Sequence, residues 1–186
     1  MTDKIRYQAL RDDDLRKVVW SWWTTLQEPR SRGAKAELRR GDSVEAALMT
    51  EGFRNLWQAL GETGQRNDGA MLAWACVAAV LAGVRDGRPT SFAYSLGSEK
   101  ERKSGKPYMS ELRFAQLQKS RDADAFLRRL RRAVALLDRQ AHVLSLADSI
   151  LHWHREQQGE LAHKPTDRLA VRWASDYFTA LGTYSR

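Results

Sequence analysis

Between Leu15 and Leu26 the apolar residues Leu15, Val18, Val19, Trp22, Trp23 and Leu26 recur every three or four positions. On a helical wheel they fall within roughly 140° of arc, which predicts an amphipathic helix packed by one face. Trp20 points off that stripe, towards a second lobe or a partner. The acidic triplet Asp12, Asp13, Asp14 suits the positive end of the helix dipole, and Pro29 and Gly33 close the segment. A short helix over Ala34 to Arg40 follows, then another after Gly41-Asp42-Ser43, where Asp42 or Ser43 can cap the first turn before EGFRNLWQAL. Gly61 and Gly64 end this region. Residues 68 to 84 are apolar all round and rich in Ala, the pattern of a central helix with close helical neighbours on every side. Cys76 within it reads as a small buried hydrophobe.

The stretch 85 to 109 holds Gly87, Pro89, Gly97, Gly105 and Pro107 around a basic SEKERKSGK string, so it predicts a long polar connection, mobile or ordered by a ligand. Ser110 and Asp122 are placed to cap the next two helices, SELRFAQLQKS and DADAFLRRLRRAVALLDRQ, and LADSILHWHREQ and DRLAVRWASDYFTAL add two more. No period-two strand pattern with hairpin turns interrupts them. The chain therefore reads as all-α, a compact helical bundle of about eight helices. Residues 1–186 form one domain, with sub-lobes 1–97 and 108–186 joined by the basic loop 98–107.

Charge changes this picture because of where it sits. The 186 residues carry a formal +8, but residues 30–40 hold +4 and residues 98–139 hold +6, leaving −2 for the rest. Two localised positive fields point to a polyanionic partner. The first patch is Arg30, Arg32, Lys35, Arg39 and Arg40, on a Gly-containing loop and a short helix. In the second, Arg121, Arg128, Arg132 and Arg139 lie within about 40° of one another on a wheel, flanked by Arg129 and Arg131, with the apolar residues Phe126, Leu127, Leu130, Ala133, Val134 and Leu137 opposite. At 1.5 Å per residue that ridge spans about 27 Å, long enough for several phosphates. Arginine's planar fork grips phosphate in bidentate fashion, and a purely structural helix face would interleave Glu, which this face lacks. Neither patch resembles a recognition helix or another base-reading motif, so the expectation is backbone binding without sequence specificity.

Chemistry is poorly served by the rest of the chain. The phosphate-loop, dinucleotide, nucleophile-elbow and H-E-x-x-H patterns are missing. His152 and His154, two apart, diverge by about 200° on a helix and cannot share one ion, so they read as surface or capping residues. Asp148, Asp167 and Asp176 stand isolated. The expectation is a non-enzyme without cofactor or metal. Its single Cys fits a reducing cytoplasm. The longest apolar run, Met71 to Ala82, falls short of the roughly 20 residues that a membrane span requires.

Four strings carry a family resemblance: AELRR at 36–40, SELRFAQLQKSRDADAFLRRLRRAVALL at 110–137, LADSILHW at 146–153 and VRWASDYF at 171–178. In order, spacing and length the chain resembles the small subunit of the type I-E CRISPR Cascade complex, the CasB family. The resemblance implies an all-helical, non-enzymatic subunit, present as a head-to-tail pair with a second copy of itself and contacting the backbone and large subunits. It also implies contact with the guide RNA–target DNA heteroduplex and the displaced DNA strand, sequence reading being left to the guide. The residues it reaches are Arg39, Arg40, Arg113, Lys119, Arg121, Arg131 and Arg132, while Arg128 and Arg139 come from the wheel alone. A structural adaptor that docks acidic proteins through the same basic faces is the alternative.

Overall fold

The computed structural model describes residues 5–63 and 67–185, and Gly64 lies outside them. Ten α-helices account for the described architecture, with no strand among the described residues beyond two isolated bridges. Helix α1 (Asp13–Leu26) starts where Asp12 accepts the backbone N–H groups of Asp14 and Leu15. It buries Leu15, Val19, Trp22, Trp23 and Leu26, and leaves Trp20 47% exposed. Helix α2 (Arg32–Arg40) follows a turn begun by Pro29. The run into EGFRNLWQAL is two helices, α3 (Val44–Leu48) and α4 (Glu51–Leu60). Thr50 divides them: its hydroxyl donates to the Ala47 carbonyl at 2.7 Å and accepts from the Phe53 N–H at 3.2 Å.

At the centre runs α5 (Met71–Leu81), buried from Ala73 to its end. It touches α2, α3, α4, α8 and α9, and the hydrophobic core continues from Ala9 to Tyr177. Its alanines allow those close approaches. Cys76 lies fully inside, where burial pushes the thiol pKa up to about 12, so it serves as packing.

The stretch expected as one long connection contains another helix, α6 (Phe92–Gly97), capped by Ser91 and buried against α10. Its glycines and prolines hide a six-residue helix that is too short to show a period. Gly97 is required there, since a Cβ would sit 2.3 Å from the Tyr177 carbonyl oxygen. Loop 98–107 is ordered by its own chain, with the Lys100 N–H on the Lys106 carbonyl at 2.9 Å and the Gly105 N–H on Glu99 Oε1 at 2.8 Å.

Helices α7 (Glu111–Gln118), α8 (Ala123–Leu136), α9 (Val143–Gln157) and α10 (Leu169–Leu181) complete the bundle. Asp122 caps α8 through the Ala125 N–H at 2.7 Å. Three acidic or histidine readings need correction. Asp148, far from isolated, is 2% exposed, and its Oδ1 accepts from three successive amides, Gln8, Ala9 and Leu10, at 2.7–2.8 Å. It thereby pins the segment ahead of α1 to α9. His152 and His154 are both buried, because α9 is covered by α1 and α5 on one side and by α10 on another. His152 contacts Glu156 and Arg172, whereas His154 Nε2 has no hydrogen-bond partner.

Candidate nucleic-acid interface

The two basic segments meet in space. Helix α8 ends at Leu136, and Asp138 and Arg139 both take left-handed backbone angles (φ 54° and 61°), so the chain turns sharply there. The Arg139 N–H closes the turn on the Val134 carbonyl at 2.9 Å, and its own carbonyl receives the Arg85 N–H at 2.8 Å. The Arg139 side chain is thereby set beside α2. Together with Arg39, Arg131, Val80, Gly83 and Ala135 it lines a cleft of about 170 Å³. Lys35 belongs to the same cluster. It is half-buried and donates to Gln27 Oε1, and its pKa is lowered by burial first, then by the nearby Arg39 and Arg139.

Arg131 does a different job from its neighbours. Its guanidinium donates to the carbonyls of Gly41, Leu38 and Ala79, tying the end of α2 to α5 and α8. Burial, with Arg39 adding to it, lowers its pKa. This arginine is a structural clamp, and its donors already point into the protein. The wheel missed this because it could not see that α2 ends against this face of α8.

The 27 Å ridge is also shorter than the wheel implied. Arg121 precedes the Asp122 cap and Arg139 follows the helix end, so neither extends α8. Arg128 and Arg132 remain exposed along it. Beyond α8 lies a second groove, about 540 Å³, between α7 and α8, lined by Arg113, Arg129 and Arg132 with Met109, Leu117 and Leu136. Arg129, at the border of the wheel's two faces, is held by its Nη1 donating to Ser120 Oγ at 3.0 Å. Ala135 lines both the groove and the cleft.

Charge neutralisation inside the chain is sparse here. Among the described residues no carboxylate forms an ion pair with Arg32, Arg39, Arg40, Arg113, Lys119, Arg121, Arg128, Arg132 or Arg139. Arg30 differs, pairing with Glu28 at 2.6 Å. Arg40 is exposed, and its Nε reaches only the Ala36 carbonyl of its own helix, at 3.3 Å. Among the described residues no three His, Cys, Asp or Glu side chains are grouped to hold a metal.

Residues 34–178 match the family of CRISPR-associated protein Cse2. The chain belongs to the Cse2 family. The match runs from within α2 to near the end of α10, so it takes in the second basic segment, the first from Lys35 onward, the cleft and the groove, while α1, Arg30 and Arg32 lie outside it. As a Cse2 chain it is a small subunit of the type I-E Cascade complex, a structural component of that assembly. No curated protein and no solved structure matches it. No helix among the described residues is long and apolar enough to cross a membrane.

Proposed function

We propose that this Cse2 chain holds nucleic-acid backbone, without sequence specificity, on the band formed by Arg39, Arg139, Arg132 and Arg113, and so stabilises target DNA when the guide pairs with it. Lys35, Arg128 and Arg129 lie beside the band, and Arg32, Arg40, Lys119 and Arg121 add exposed positive charge at its margins. The observation that carries the reading is the convergence of two segments, a hundred residues apart in sequence, into one cation-rich surface without paired carboxylates. Such a surface attracts phosphate and releases counterions when it binds. Guanidinium forks suit the backbone of either the heteroduplex or the displaced strand, with the sequence read by the guide.

In this reading the subunit works in the cytoplasm beside Cascade's backbone and large subunits and a second copy of itself set head to tail. It carries out no chemistry. Ultraviolet cross-linking of the assembled, target-bound complex tests the reading: adducts to DNA or RNA should map to α2, the α7–α8 groove and the α8 end. Cross-links confined to protein partners would instead favour an adaptor that uses its basic faces on acidic neighbours.

A further inference from the structure

The α7–α8 groove differs in kind from the cleft beside it. Its floor is apolar, Met109 and Leu117 being 3% and 1% exposed, with Leu136 and Ala135 on the α8 wall. Arg113, Arg129 and Arg132 stand around that floor, and Arg129 is already held by Ser120. At about 540 Å³ the groove falls in the size range of small-ligand sites, about 300–1,000 Å³. The cleft on the other side of Ala135 is smaller, about 170 Å³, and is flanked by Arg39 and Arg139, whose guanidinium groups suit a phosphate.

From this pairing we infer that the groove takes an unstacked nucleobase of single-stranded nucleic acid, with the strand's adjoining phosphate in the Arg39–Arg139 cleft. The inference rests on the backbone-binding reading above and deepens it. A base has a flat apolar face to set on the floor, and guanidinium planes stack on such faces while their edges bind phosphate. An acidic peptide would satisfy the arginines but leave the floor empty, because Asp and Glu side chains have nothing to place there. A duplex keeps its bases stacked and paired, so it reaches the rim alone.

The test uses the full chain and fluorescently labelled thymidine oligonucleotides, one normal and one of equal length and charge carrying abasic residues. The normal strand should bind about tenfold more tightly, the size of one base-stacking contact. Leu136→Asn makes the α8 wall of the groove polar without changing charge, and Leu136 lines the groove but not the cleft. This variant should bind both strands with the affinity wild type shows for the abasic one. Equal binding of the two strands by wild type would overturn the base site and leave the backbone reading intact. Retained base preference in Leu136→Asn would also overturn it. Abasic binding untouched by Arg39→Glu/Arg139→Glu would mark failure of the backbone reading itself.

Discussion

Arg131 and Leu38, 93 positions apart, are joined by a 2.7 Å hydrogen bond from guanidinium Nη2 to the backbone carbonyl. With the bonds to Gly41 and Ala79 this makes one arginine the clamp between the LRR turn of α2 and the arginine helix α8. Charged hydrogen bonds to otherwise unsatisfied carbonyls contribute about 1.5–3 kcal/mol. Arg131→Met should therefore lower the Tm clearly in thermal denaturation. Arg132→Met, which loses an exposed side chain, should stay within about 0.5 kcal/mol of wild type while binding DNA more weakly. A wild-type Tm for Arg131→Met would remove the clamp.

Asp148 gathers three amides on one oxygen and has Arg172 3.5 Å from the other. Asp148→Ala leaves those three amides without their acceptor and Arg172 without its paired carboxylate. The expected loss is about 3 kcal/mol or more. Hydrogen exchange at Gln8, Ala9 and Leu10 should accelerate well before exchange in α5. Unchanged protection at these three amides would contradict the pinning role.

The buried histidines give the fold a pH dependence of definite sign. Burial lowers the pKa of His154 to about 4, and burial also lowers those of His142 and His152. An unfolded histidine takes up a proton near pH 6.5, whereas folded His154 refuses it until about pH 4. Stability should thus be full above about pH 7 and fall as the pH drops from 6.5 towards 4. His154 alone should contribute a loss of about 2 kcal/mol between pH 7.5 and 5.0. Denaturant unfolding at those two pH values checks this, and His154→Leu should show a shallower decline than wild type. Identical slopes would contradict it.

Gly97 leaves no room for a side chain against α10, because a Cβ would lie 2.3 Å from the Tyr177 carbonyl oxygen. Backbone cannot swing aside as a flexible side chain can. Gly97→Ala should therefore cost about 1–3 kcal/mol by overpacking. It should also disturb the bond from Tyr184 Oη to the Gly97 carbonyl, 2.7 Å long here. Gly33→Ala, with nothing within 4 Å of its Cβ, should be tolerated and serves as the control.

Periodicity carried the long elements. The stripe of α1, the all-round apolar α5 and the two faces of α8 were legible because each repeats over three or more turns. Short or capped elements were not: α6 has six residues, and a single Thr50 separates α3 from α4. The charge count located two basic stretches along the sequence, but nothing local told Arg131 from Arg132. They differ only in what lies opposite, and that is set by the end of α2. Asp148 and His154 failed for the same reason, since a polar residue on a helix reads as surface until a neighbouring helix covers it. The apolar groove floor needs α7 and α8 side by side, which no one-helix wheel contains.

The central claim is that the arginines which converge from two segments hold nucleic-acid backbone. Target-DNA retention by the assembled complex, measured across a salt series, tests it most directly with Arg39→Glu/Arg132→Glu against Arg54→Glu/Lys164→Glu, a pair of equal charge change away from the band. The band variant should release target DNA at lower salt. Isolated subunits carrying it should show a shallower salt dependence, the log–log slope falling by about 0.7–0.9 for each phosphate that is no longer neutralised. The control pair should follow wild type. If band and control variants retained DNA equally at low and physiological salt, the band would not be the nucleic-acid interface.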